Sequence, residues 1–116
     1  MEQIKVFDLT GRNAISMQNG EKLYKALHEA LIAGDKIEVD FDKVTLFASP
    51  FFNASMGLLL KDIKVESLQR QLDIINLSEV GRDLLNHVIS NAIAFYSNSD
   101  NVSRALDQGE ADNKNE

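Results

Sequence analysis

An α/β domain, with a small mixed β-sheet and amphipathic helices packed mainly on one of its faces, is the fold the sequence predicts. Three observations lead there. Residues 36–42 alternate strictly, with Ile37, Val39 and Phe41 on one side and Glu38, Asp40 and Asp42 on the other. Such alternation belongs to a strand with one buried and one wet face. Apolar residues recur at helical spacing over residues 23–31 and again over 80–96. Strand-like and helix-like segments take turns along a chain of 116 residues, the length of one domain.

The first element reads as a strand, Ile4-Lys5-Val6-Phe7-Asp8-Leu9, stopped by Thr10-Gly11. Residues 12–18 fit no period, although Ala14-Ile15-Ser16-Met17 reads as a short extended piece. Asn19 is the expected N-cap of the first helix. In that helix Leu23, Ala26, Leu27, Ala30 and Leu31 make one apolar stripe, and Glu21, Lys25 and Glu29 lie four apart on the other side. Gly34 supplies the left-handed position after the last turn.

After the alternating strand, Val44-Thr45-Leu46-Phe47 leads into Ser49-Pro50. Serine caps orphan amides and proline suits a first helical turn, so Ser49 is read as the cap of the second helix. That helix continues through Phe51, Phe52, Met56, Leu58, Leu59, Leu60 and Ile63. It is apolar nearly all round, so it is either deeply buried or keeps one face for a partner.

Residues 65–71 carry helical spacing for one or two turns, and Leu72-Asp73-Ile74-Ile75-Asn76-Leu77 reads as the third strand. Ser78 caps the last helix, with Glu79 and Asp83 where the helix dipole favours acids. Val80, Leu84, Val88, Ala92 and Phe95 form one stripe, and Leu85, Ile89, Ile93 and Tyr96 form a second beside it. The helix is expected to end near Ser97 and Asn98. The domain then spans residues 1–97. Residues 98–116 read as an acidic disordered tail, with a transient turn of helix over 102–106.

Twelve basic residues against eighteen acidic ones give a net charge of −6. That balance argues against nucleic acid and against anionic membranes, both of which call for a basic surface. The absence of cysteine removes disulfides, thiol nucleophiles and thiolate metal sites. Met1-Glu2-Gln3-Ile4-Lys5 lacks a signal pattern, and no apolar run approaches the roughly 20 residues of a membrane span. A cytoplasmic location without membrane attachment is expected.

Few residues invite chemistry. His28 and His87 are the two histidines, and neither has a second histidine at ligand spacing, so surface roles are expected and no metal site. Asp40 and Asp42 share a strand face. Paired carboxylates suit a divalent cation or acid–base work, yet the wet face of an alternating strand accounts for them. Ser49 sits in no Gly-x-Ser-x-Gly elbow, which sets it apart from hydrolase nucleophiles. A phosphate at a helix N-terminus is electrostatically tolerated, so Ser49 is also a candidate phosphoacceptor. The glycines are isolated, no nucleotide fingerprint is present, and no cofactor is expected.

Val39-Asp40-Phe41-Asp42-Lys43-Val44, followed by Phe47-Ala48-Ser49-Pro50-Phe51-Phe52-Asn53-Ala54, resembles the signature of the STAS-like family of unknown function. Ile75-Asn76-Leu77-Ser78-Glu79 and the long helix after it are similar to that family's next block. The resemblance covers residues 36–96 and implies a STAS-like fold. Its wider relatives are anti-sigma-factor antagonists, in which a serine after an aspartate in the strand-to-helix turn is phosphorylated by a partner kinase. Here that turn is Ala48-Ser49-Pro50-Phe51. Ala48 takes the aspartate position, Pro50 the usual acceptor position, and Ser49 stands one place earlier.

The resemblance implies a non-catalytic regulatory module rather than an enzyme, docking a protein partner such as an ATP-binding, histidine-kinase-like protein. Phe47, Ser49, Phe51 and Asn53 are the expected partner-binding residues, with Phe51 as a partly exposed aromatic anchor; its alternative is a core position. A small-ligand or nucleotide-sensing domain using the same turn is the main alternative, and an enzyme using Asp40, Asp42 and a histidine is the third. A homodimer through the apolar second helix is the further association considered.

Overall fold

The computed structural model describes residues 2–107, and side-chain burial over residues 2–96. Strand β1 (Glu2–Lys5) is followed by helix α1 (Val6–Thr10), strand β2 (Asn13–Ala14) and helix α2 (Met17–Ile32). Then come β3 (Ile37–Asp40), β4 (Leu46–Phe47), α3 (Ser49–Phe52) with a π-helical continuation over Asn53–Gly57, α4 (Val65–Gln71), β5 (Leu72–Ile75) and α5 (Glu79–Asp107).

The α/β class stands, with helices as the dominant element. Strand direction is uniform: among the described residues every ladder is parallel, in a three-stranded sheet of order β1-β3-β5 and a two-stranded pair β2-β4. The sheet is therefore not mixed. Helical crossovers join the strands of the larger sheet, and such connections return the chain in the same direction. Its register lines Ile4, Val39 and Ile74 in one row and Gln3, Glu38 and Asp73 in the next. The first row packs toward the helices. The second faces away from them, and there the Gln3 amide donates to Glu38 Oε2 over 2.6 Å.

The alternating strand was legible, because Ile37, Val39 and Phe41 are all buried. The first strand is shorter than its pattern suggests. It stops at Lys5, opposite Asp40, where β3 itself ends, and residues 6–10 wind into α1 instead. Beyond that point an extended chain has no neighbour to bond. Helix α2 starts at Met17, capped by Ser16, whose hydroxyl accepts from the Asn19 amide at 3.1 Å. The cap is thus Ser16 and not Asn19. Leu23, Leu27 and Leu31 are its buried stripe, and Gly34 takes the left-handed conformation with φ 89°.

The apolar second helix resolves into the buried alternative. Phe51, Phe52, Ala54, Ser55, Met56, Gly57 and Leu59 are all enclosed, and Asn53 is exposed. Its middle widens into a π turn. The Ser55 hydroxyl donates to the Phe51 carbonyl over 2.8 Å, inside the core. Helix α2 crosses this turn at Gly20. A Cβ there would stand 2.4 Å from the Phe51 carbonyl oxygen and 2.8 Å from the Ala54 Cβ. Only glycine allows that approach.

In α5 the buried seam is Gly81, Leu85 and Val88, flanked by half-buried Leu84 and Ile89. Val80 and Phe95, at the two ends of the expected stripe, are exposed. The helix runs on to Asp107 rather than ending near Ser97 and Asn98. Nothing in residues 98–107 breaks a helix, since the first glycine after Gly81 is Gly109. The expected tail thus begins as helix, and residues 108–116 lie outside the described residues.

Candidate docking face

Beyond the last strand residues the chain builds one end of the molecule around the Phe47-Ala48-Ser49 turn. The Ala48 amide donates to the Ala14 carbonyl over 3.1 Å, which ties the turn to β2 and to the start of α2. Phe47 is half-buried. Its ring lies parallel to that of Phe52, centroids 5.9 Å apart and planes 7° apart, and tilts against Phe41 at 6.1 Å. From the other side α5 approaches through Gly81, where an added Cβ would stand 3.1 Å from the Phe47 ring. The first turns of α2, α3 and α5 therefore meet at this place.

The expected site residues fare differently. Phe47 and Ser49 are half-exposed, and Asn53, one helical turn after Ser49, is exposed. Phe51 is fully buried, edge-on to Phe52 at 5.2 Å, so it is not a partly exposed anchor. Its position in the first turn of α3 points it under the turn rather than out of it, against α2 and the π turn. Ser49 is not the cap of α3. Ala48 holds that position, in extended conformation and without a side-chain bond, and no hydrogen bond from the Ser49 hydroxyl occurs among the described residues. Ser78 does cap as expected, accepting from the Gly81 amide at 3.2 Å.

Sequence reasoning missed the surroundings of the turn. Ile15, Met17, Leu46 and Val80 are exposed by 40–74%. Ile15 follows the Ala14 carbonyl that holds Ala48, Met17 opens α2, Leu46 precedes Phe47, and Val80 precedes Gly81. Four of the seven large apolar side chains exposed among the described residues thus belong to segments that touch this turn. Each is solitary in the sequence. The signal was position beside a predicted turn or cap, not period.

Asp40 and Asp42 do not form a shared acid face. Asp40 is only 8% exposed, and its Oδ1 accepts from the Asp42 amide and from the Asn76 side-chain amide, each at 2.9 Å. These bonds, the Asn76 one foremost, hold its carboxyl below the ordinary value, helped by the Lys5 charge and opposed by burial. Asp42 lies exposed in the following turn, where the Val44 amide donates to the Phe41 carbonyl. Lys43 and Asn76 both have positive φ, 73° and 60°. Asp40 is therefore a clasp between the ends of β3 and β5. Lys5, Phe7, Asp8 and Lys43 enclose a crevice of about 110 Å³ beside it, well under the roughly 300 Å³ of common small-molecule pockets.

His28 bonds Asp62 through Nε2 at 2.8 Å and stacks on Tyr24 at 4.9 Å. Burial, and then the Asp62 charge, push the Tyr24 and Tyr96 hydroxyls above their ordinary range. The group fastens the chain around Asp62 to α2. His87 is exposed. No cluster of three metal-ligating side chains occurs among the described residues, and no described helix is long and apolar enough to cross a membrane.

Parallel strands joined by helices, with a serine in the first turn after a strand-to-helix connection, define the class of this molecule as a STAS-like α/β domain. The chain belongs to the family described as STAS-like domain of unknown function (DUF4325), whose model matches residues 19–82, more than half of its length. The match starts within α2, earlier than residue 36, and ends just past Gly81. No curated protein and no solved structure gives a significant match.

Proposed function

We propose that the chain is a non-catalytic regulatory module of the cytoplasm that binds a protein partner through the end built by Phe47, Ser49 and Asn53. The observation that carries this reading is the exposure of Ile15, Met17, Leu46 and Val80, each on a segment that flanks that turn. Contiguous exposed apolar surface rimmed by polar groups marks interaction sites. By analogy with anti-sigma-factor antagonists, the partner is an ATP-binding, histidine-kinase-like protein. Ser49 is the phosphoacceptor in this reading, since its hydroxyl is half-exposed and engaged in no bond among the described residues. A phosphate there adds up to about two negative charges beside exposed apolar side chains and disfavours docking. Phe51 takes part only from below, by holding the turn in place.

Site-directed photo-crosslinking tests the reading. A crosslinker at Asn53 should capture an ATPase of the histidine-kinase type. One at Ile32, exposed at the far end of α2, should not. Leu46→Glu and Val80→Glu should abolish the capture, and Ser49→Asp should reduce it by about tenfold, or roughly 1.4 kcal/mol. Equal capture from both positions would remove the site. Stabilisation of the lone chain by a nucleotide or metabolite would favour the small-ligand reading instead.

A further inference from the structure

Strand β5 closes one side of the three-stranded sheet, and its outer edge is unpaired among the described residues. The ladder fixes which backbone groups point outward. The Ile75 carbonyl accepts from the Phe41 amide at 3.0 Å, in a register that sets Ile75 opposite Asp40. Ile75, and Asp73 two residues before it, therefore turn their amides and carbonyls toward β3, and Leu72 and Ile74 turn theirs away. The Leu72 amide is already taken by the Leu68 carbonyl at the end of α4. The Ile74 amide and carbonyl and the Leu72 carbonyl have no protein partner among the described residues.

A groove of about 370 Å³ runs beside this edge. Met56, Leu68, Ile74 and Ile89 give it apolar walls, and Arg82 and Asn86 reach it from α5. Asp73 borders it too, but in the row that turns away from the helices. Arg82 is exposed and makes no ion pair among the described residues.

We infer that the β5 edge is a second protein-binding site, which takes an extended segment of a partner protein as an added outer strand. Alternate apolar side chains of that segment enter the groove, and a carboxylate meets Arg82. The free backbone groups select the occupant: an extended chain offers amides and carbonyls at strand spacing, whereas a helix keeps its own backbone groups bonded internally. The site shares no residue with the Ser49 turn, so it stands independently of the function proposed above.

The test uses the full chain and a displayed library of random peptides of about ten residues, selected on the wild-type protein. Recovered peptides should share alternating apolar residues and an acidic residue. They should slow hydrogen exchange at the Ile74 amide, and bind Arg82→Glu about tenfold more weakly. Ile74→Pro removes the outward amide without removing a ladder bond to β3, a substitution that edge strands tolerate, and it should abolish binding. Ile74 also packs against the core, so thermal melting checks that the variant is folded. If that variant fails to fold, the exchange measurement and Arg82→Glu decide. Recovery of no peptide, or binding that leaves the Ile74 amide exchanging as before, overturns the proposal. So does a concentration-dependent dimer of the wild type that Ile74→Pro disperses, since the edge would then belong to a second copy.

Discussion

Around Gly20, α2 lies so close to the second helix that a single added carbon would meet a backbone oxygen at 2.4 Å. Along Ile74, by contrast, a groove of about 370 Å³ borders a strand edge whose outward backbone groups have no protein partner among the described residues. Both regions lie beside the same π turn, since Ala54 faces Gly20 and Met56 lines the groove. At the first, neighbours dictate every residue and the chain has no freedom left. At the second, the fold leaves backbone hydrogen-bonding capacity unspent. The docking turn around Phe47 is intermediate: the Phe47 ring stacks on Phe52, but exposed apolar side chains lie on the segments that flank it.

The closed region should respond most to substitution. Phe51→Ala empties a fully buried aromatic position and should cost about 3–5 kcal/mol in a urea denaturation curve. A midpoint close to wild type would mean that the seam collapses freely, and the contrast with the open edge would fail. Gly20→Ala comes next. Alanine favours a helix over glycine by about 1 kcal/mol, yet the contact with the Phe51 carbonyl forces backbone apart. A net loss of about 2 kcal/mol is expected. A gain would show that α2 and α3 separate at little cost.

The clasp at Asp40 should matter less. Asn76→Gly removes the amide that bonds Asp40 Oδ1 and keeps a residue suited to φ 60°. A loss of about 1 kcal/mol is expected near neutral pH. The sign of its pH dependence follows from the lowered Asp40 carboxyl. A depressed folded value stabilises the protein above the ordinary carboxylate range, and that contribution disappears as pH falls through the folded value. Stability of the wild type should therefore fall more steeply in acid than that of Asn76→Gly, and the two curves should converge. Parallel curves would mean that the Asn76 bond does not hold the Asp40 carboxyl down.

How far the sequence could be read follows from these same residues. Period located β3 and the buried leucines of α2, because burial on one face leaves a mark at every second or every third and fourth residue. Period misread Val6 to Leu9, since the end of β1 depends on where β3 turns, and that depends on Asp40 bonding the Asp42 amide. It also overestimated Phe51 as a surface anchor, because an apolar helix reads the same whether its extra face is covered or free. Gly20 shows what a single sequence hides. An isolated glycine in a helical pattern looks like a weakness, and here it lets α2 approach the second helix at a place where no Cβ would fit.

The smallest expected effect separates two serines that look alike in sequence. Both Ser16 and Ser49 precede helical segments, and Ser49-Pro50 is the stronger helix-start signal of the two. The structure reverses their roles. The Ser16 hydroxyl accepts from the Asn19 amide at 3.1 Å, whereas Ala48 occupies the cap of α3 and the Ser49 side chain holds no helix amide. Ser16→Ala should therefore cost about 1 kcal/mol, the usual worth of an N-cap. Ser49→Ala should stay within about 0.5 kcal/mol of wild type. Equal losses would restore Ser49 as a cap and return it to the fold. A Ser49 that is indifferent to stability is instead available for another purpose, and the partner-capture experiment with Ser49→Asp then reports on docking alone. The two serines, measured side by side, decide whether the helix-start signal at residue 49 serves the fold or the surface.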